Sequence, residues 1–180
     1  MFINVISKVI KMEKLSIIVP CYNEEKGIGH LHNQLVPVLN TLQEAWNLEL
    51  IFVDDGSVDN THQLLHEKFS SLEYVKIIKH EVNMNLGGAM RTGFSHATGD
   101  VIVTMDSDCT YHPQQIPELL SHLDEDTDIV AASPYHPMGK VENVPSYRLL
   151  LSKGICQIYR TLTGSDIHTF TALFRAQKRH

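Results

Sequence analysis

The chain has 180 residues, 43% of them hydrophobic and 20% charged, which is enough for one folded domain with a sizeable core. A net charge of −6 argues against general nucleic-acid binding. No stretch approaches the ~20 apolar residues of a membrane span, and the three cysteines, Cys21, Cys109 and Cys156, lack metal-ligand spacing and fit a reducing, cytoplasmic compartment.

Residues 1–14 read as an N-terminal extension. Phe2, Ile3, Ile6, Val9 and Ile10 fall at helical spacing with Lys8 and Lys11 between them, which suits a loose extension or a helix lying at a membrane interface. The domain itself is taken over 15–180. Leu15 to Pro20 is the first expected strand, followed by the polar loop Cys21-Tyr22-Asn23-Glu24-Glu25. Ile28, Leu31, Leu35, Leu39 and Leu42 then recur at spacings of three and four, as on one face of a helix, which Pro37 should kink or split. Leu48 to Val53 is the second strand, ending in Asp54-Asp55-Gly56-Ser57, with Asp59 as N-cap of the next helix through Phe69. A third strand, Val75 to Ile78, leads through Asn83 to Ala89 into a helix reaching about Ala97.

Val101 to Met105 is the fourth strand. Its continuous apolar character marks a strand buried on both faces of a parallel sheet, and it runs directly into Asp106-Ser107-Asp108. A helix is expected from near Pro113 through Leu123, and a fifth strand from Ile129 to Ala132. Five alternations of strand and helix predict an α/β domain whose sheet is mostly parallel, with helices on both faces. The rhythm stops after Ser133. A Pro- and Gly-containing loop, a helix from Tyr147 to about Leu162 and one more strand, Thr169 to Arg175, complete the chain.

Acidic residues close three of the strands: Glu24 and Glu25, Asp54 and Asp55, Asp106 and Asp108. In a parallel sheet these ends share one edge, the edge where α/β proteins bind ligands. Paired carboxylates repel an anion unless a divalent cation stands between them, and hard oxygen ligands suit Mg²⁺ or Mn²⁺, which in turn hold phosphates. An Asp-x-Asp alone also suits a helix N-cap or a solvated loop. The Gly-x-Gly-x-x-Gly of dinucleotide-binding proteins is absent after the first strand, and a P-loop is absent altogether.

Four motifs come in order: Pro20-Cys21-Tyr22-Asn23-Glu24, Val53-Asp54-Asp55-Gly56-Ser57, Asn85-Leu86-Gly87-Gly88-Ala89 and Asp106-Ser107-Asp108. Together they resemble glycosyltransferase family 2, with its GT-A fold, over about Leu15 to Arg175. Ser133-Pro134-Tyr135, Gly139-Lys140-Val141-Glu142, Tyr147-Arg148, Ser152-Lys153-Gly154 and Phe174-Arg175-Ala176 make the chain most similar to polyprenyl-phosphate sugar transferases of the dolichyl-phosphate mannose synthase type.

The resemblance implies an inverting, metal-dependent transfer from a GDP- or UDP-linked sugar to a polyprenyl phosphate, and a peripheral contact with the membrane is a further expectation. Pro20, Tyr22 and Glu24 would border the nucleotide, and Asp54 or Asp55 would accept hydrogen bonds from base or ribose. Gly87 and Gly88 would let backbone approach the sugar nucleotide or merely shape a turn; Arg91 could face site or solvent. Asp106 and Asp108 would hold the metal on the diphosphate. Arg148 and Arg175, with Lys153 as a further cation, would bind the acceptor phosphate.

Some positions depart from the family pattern. Pro134 stands where these synthases usually carry Arg, and Thr110 where they often carry Gln, leaving His112, His136 or His168 as substitute metal ligands. The Gln-x-x-Arg-Trp of processive synthases is absent, which argues against polymer synthesis. Members of this type continue with a further helix and strand, so a chain ending at His180 is expected to be truncated. Transfer to a hydroxyl acceptor, or nucleotide-sugar binding without catalysis, are the alternative activities.

Overall fold

The computed structural model describes residues 13–133 and 172–179, together with residues 154, 155, 158 and 161. The elements are β1 (Lys14–Cys21), α1 (Ile28–Leu42), β2 (Asn47–Asp54), α2 (Thr61–Phe69), β3 (Val75–Lys79), α3 (Asn85–His96), β4 (Val101–Thr104), a 3₁₀ turn (Pro113–Gln115) leading into α4 (Ile116–Ser121), β5 (Ile129–Ala131) and β6 (Arg175–Lys178). The sheet order is β3-β2-β1-β4-β6-β5. β1 pairs in parallel with β2 and β4, and β2 with β3, whereas β6 runs antiparallel between β4 and β5.

Strand alternation sorts the core into two layers. Leu15, Ile17, Val19, Leu50 and Phe52 face α1 and α2, packing on Ile28, Leu31, Leu35, Leu65 and Phe69. Ile18, Ile51, Val53 and Ile102 face the other way, against Ala89 and Met90 of α3. Covering both faces is what makes β1, β2 and β4 read as unbroken apolar runs rather than as alternating ones.

Pro20 would be out of place in a central strand, because it has no N–H to give the ladder. Pairing with β4 covers only Leu15 to Ile18, and the last bond on that side runs from Met105 N to Ile18 O. Pro20 faces the same side two residues on, beyond that ladder, so no bond is lost.

Four expectations need correction. Pro37 does not split α1, which runs unbroken to Leu42. It lies on the exposed side, where the carbonyl freed at Asn33, also exposed, can bond water. The N-cap of α2 is Asn60, although Asp59 still accepts from Thr61 N at 3.0 Å and from its hydroxyl at 2.6 Å. The helix after Pro113 begins as a 3₁₀ turn and ends at Ser121, before Leu123. The last strand lies further along the chain, at Arg175–Lys178, where Phe174 and Ala176 alternate inward. Tyr111 stacks on Phe174 at 5.2 Å, tying the entry to β6 to the loop that follows β4.

Of the helix expected over 147–162, Gly154, Ile155, Ile158 and Thr161 are described, and all four are helical. Among the described residues no helix is long and apolar enough to cross a membrane.

Gly56 ends the turn after β2 with φ +73°, and a Cβ there would stand 2.7 Å from Asn83 N and Val82 C. Both obstacles are backbone, so they cannot swing aside. Gly56→Ala is expected to destabilise the fold by about 2–3 kcal/mol, read as a lowered denaturation midpoint with an unchanged slope.

Candidate functional site

The carboxyl ends of β1, β2 and β4 meet at one edge of the sheet. The loops there are stitched to one another before any ligand is considered. Asn23 sits at φ 53°, in the left-handed region that Asn tolerates better than most residues. Its backbone N–H donates to Ser57 Oγ at 2.9 Å, and its Oδ1 accepts from Val58 N at 3.0 Å. Glu24 N donates to Thr61 Oγ1 at 2.7 Å. Glu25 Oε2 accepts from Asn60 N at 3.1 Å and from Asn60 Nδ2 at 3.2 Å. The β1 and β2 loops are therefore one cross-linked unit.

A cleft of about 160 Å³ opens over this unit, lined by Pro20, Tyr22, Glu24, Asp55, Asp106 and Asp108, with Cys21, Leu86, Ser107 and Leu173 completing the wall. The first six were expected from sequence. Leu86 belongs to the Asn85-Leu86-Gly87-Gly88-Ala89 motif without an expected role of its own, and Ser107 is the residue between the two acids. Leu173 comes from the segment before β6 and carries no local signal; only the insertion of β6 beside β4 brings it to this edge.

The two acids that close β2 do different things. Asp54 is fully buried. Its Oδ1 accepts from Ser57 N at 3.0 Å, and its Oδ2 lies 3.3 Å from His62 Nδ1 and 3.9 Å from Lys79 Nζ. The His62 contact is not aligned as a hydrogen bond, so among the described residues both atoms lack one. Burial, then the neighbouring His66, hold His62 below its ordinary pKa. Asp54 does not line the cleft. Asp55 does, and its Oδ1 accepts from His80 Nδ1 at 2.7 Å and Met84 N at 2.9 Å. Neither donor was picked out from the sequence. The available signal for His80 was its position, one residue past a strand end at the same sheet edge.

Burial and charge repulsion together mark Asp106 and Glu24. Burial raises the pKa of Asp106, and the charge of Asp108 raises it further. Glu24 is raised by burial, then by Asp108 and Asp59. Burial and the charges of Asp54 and Glu24 likewise push the Cys21 thiol up, so it packs as a small neutral side chain. Asp108 is exposed, and its Oδ1 accepts from Thr110 N at 2.8 Å, holding the loop in which Cys109 takes φ 56°.

Gly87 has nothing within 4 Å of where a Cβ would stand, whereas a Cβ on Gly88 would lie 2.5 Å from Met84 Cβ. The open approach exists at Gly87, and Gly88 serves packing within its own helix. Neither glycine lines the cleft, and Arg91 is exposed. His112 is exposed as N-cap of the 3₁₀ turn, and among the described residues no three His, Cys, Asp or Glu converge as a ready-made metal cage. Arg175 opens β6 opposite Thr104 at this same edge, and its buried Nε has no hydrogen-bond partner among the described residues. Pro134, His136, Arg148, Lys153 and His168 lie outside the described residues.

The sequence profile of glycosyl transferase family 2 matches residues 16–179. The chain is 39% identical over 147 residues to a dolichol-phosphate mannosyltransferase of Pyrococcus furiosus, covering 82% of this chain and 40% of that protein. The chain thus spans well under half the length of that relative. Glucosyl-3-phosphoglycerate synthase of Mycobacterium tuberculosis, solved with Mn²⁺, UDP and glucosyl-3-phosphoglycerate, superposes with a TM-score of 0.68 at 19% identity, covering 92% of this chain and 57% of that one. A mannosyltransferase of Pyrobaculum calidifontis, solved with GDP-Man and Mn²⁺, gives 0.59 at 19% identity, covering 93% and 45%. These structures share the mostly parallel sheet of the GT-A fold. With its motifs in order on that sheet and the profile spanning nearly all of it, the chain belongs to glycosyltransferase family 2.

Proposed function

We propose that the domain transfers a sugar from a GDP- or UDP-linked donor to a polyprenyl phosphate, at the cytoplasmic surface of a membrane and with a bound divalent cation. The observation that carries the reading is the convergence of Glu24, Asp55, Asp106 and Asp108 on one cleft, where burial and then the charge of Asp108 raise the pKa of both Glu24 and Asp106. Acids that repel one another across a cleft gain from a shared cation.

The donor set fits a hard ion. Asp106 and Asp108 supply oxygens only, and two carboxylates plus phosphate oxygens and waters suit Mg²⁺ or Mn²⁺, which do not require an all-protein cage. A cation held there offsets charge developing on the departing nucleoside diphosphate. The chain's own residues do the rest. Asp55 accepts from base or ribose, Pro20 and Tyr22 flank the nucleotide, and the open position at Gly87, next in the chain to the cleft residue Leu86, leaves room for the donor. Arg175, joined by Arg148, holds the acceptor phosphate, where a planar fork gives charge-assisted bonds. That acceptor is already ionised near neutral pH, so the reaction needs positioning more than a strong general base. Similarity to the dolichol-phosphate mannosyltransferase supports this acceptor class over a hydroxyl.

The test is transfer of radiolabelled sugar from GDP-mannose or UDP-glucose to a polyprenyl phosphate in detergent, with Mn²⁺ and with chelator. Metal-dependent labelling of the lipid is expected. Label released only as free sugar would refute the acceptor. Arg175→Ala is expected to keep donor affinity within about twofold while lowering kcat/KM for the lipid by about 10- to 100-fold, the scale of a lost charge-assisted phosphate contact. Separate titration of donor and acceptor checks it.

A further inference from the structure

His80 is the first residue beyond β3, and its side chain is only 10% exposed. Three bonds fix it. Its backbone N–H donates to Asp54 O at 2.9 Å. Nδ1 lies 2.7 Å from Asp55 Oδ1, and Nε2 lies 2.9 Å from the hydroxyl of Thr92 on α3. An ionised carboxylate can only accept, so Nδ1 carries the proton of that bond. In the neutral ring Nε2 then accepts from Thr92, and in the cation it donates to it. The bridge from β2 to α3 therefore stands in either charge state.

The consequence falls on Asp55. Its Oδ1 takes two donors, His80 Nδ1 and Met84 N, which fill that oxygen's two lone-pair directions. Among the described residues no donor reaches Oδ2, and Asp55 forms part of the cleft wall. The carboxylate is thus clamped through one oxygen with the other left over. A carboxylate fixed before binding loses less rotational freedom when a ligand arrives.

We propose that His80 is a positioning residue of the donor site: braced by Thr92, it clamps Asp55 Oδ1 so that Oδ2 is presented to an N–H or O–H of the donor's base or ribose. This rests on Asp55 being a nucleotide contact, and the test separates the two claims. Nucleotide Kd is measured with Mn²⁺ for GDP and UDP on the whole chain, for Asp55→Asn, His80→Ala, His80→Asn and His80→Gln, alongside each variant's thermal midpoint.

Asparagine puts an N–H near the place of Nδ1, and glutamine near that of Nε2. Asp55→Asn and His80→Ala are expected to weaken the bound nucleotide by about tenfold, the lower end of what orienting contacts contribute. His80→Asn stays within about threefold, while His80→Gln, which keeps only the Thr92 side of the bridge, behaves like His80→Ala. A merely structural role would leave the two polar variants alike. Equal loss in Asn and Gln, or wild-type affinity in His80→Ala beside a weakened Asp55→Asn, overturns the role of His80 while leaving Asp55 in place. Wild-type affinity in Asp55→Asn overturns both. Should His80→Ala fail to fold, the comparison of Asn with Gln decides.

Discussion

Asp108→Asn is expected to lower nucleoside-diphosphate affinity in Mn²⁺ by about a hundredfold, ~3 kcal/mol, and to leave the thermal midpoint within about 2 °C. The two halves follow from one geometry. Asp108 is exposed, and its charge adds to burial in raising the pKa of both Asp106 and Glu24, so within the fold it is a source of repulsion rather than of stability. Asparagine keeps an oxygen for Thr110 N, the one hydrogen bond recorded for the Asp108 side chain among the described residues. What disappears is half of the proposed paired-carboxylate site for a divalent cation. Displacement of a fluorescent nucleotide, with Mn²⁺ and with chelator, measures it. Unchanged Mn²⁺-dependent affinity in the variant would remove Asp108 from the metal site.

The second large effect lies at the opposite edge of the sheet and concerns the fold alone. Glu49 on β2 is 2% exposed. Its Oε1 accepts from Lys76 Nζ at 2.7 Å, Thr98 Oγ1 at 2.9 Å and Lys14 Nζ at 3.2 Å, and its Oε2 accepts from Ser16 Oγ at 2.6 Å and Thr98 N at 2.7 Å. Burial alone would raise its pKa, but the bonds from Lys76, Ser16 and Thr98 outweigh that and hold it at about 2. Glu49→Ala strips five donors of their acceptor and is expected to cost about 3 kcal/mol, a fall of roughly 6–12 °C in Tm for a chain of this size.

The pH dependence has a definite sign. A carboxyl whose pKa is lower folded than unfolded stabilises the ionised native state. Its contribution is complete above its ordinary value near 4.5 and fades as pH falls towards about 2. Acid denaturation of Glu49→Ala should therefore run less steeply than wild type across that window. Parallel acid limbs would show that the network is not formed.

Periodicity and apolar runs made the first four strands and the helices between them legible, because both faces of this sheet are covered and each helix buries one stripe. The lining of the cleft was legible for a related reason. Pro20, Tyr22, Glu24, Asp55, Asp106 and Asp108 all lie within a few residues of strand ends, and parallel pairing brings those ends together. Element ends and caps were misplaced by local detail, but the largest failure lies in long-range pairing. The antiparallel insertion of β6 between β4 and β5 cannot be read from a four-residue strand, and it alone carries Leu173 and Arg175 to the edge. Asp54 and Asp55 are adjacent and chemically identical, so only the three-dimensional neighbours, Ser57 for one and His80 with Met84 for the other, distinguish the internal acid from the one on the cleft.

The central claim is that this sheet edge binds a nucleoside diphosphate through a divalent cation. Calorimetric titration of GDP and UDP into the chain, with Mn²⁺ and again with chelator, tests it most directly. Binding of one nucleotide that requires Mn²⁺ is the predicted result, and it names the donor base in the same experiment. Binding of neither, or binding indifferent to chelator, would contradict the account.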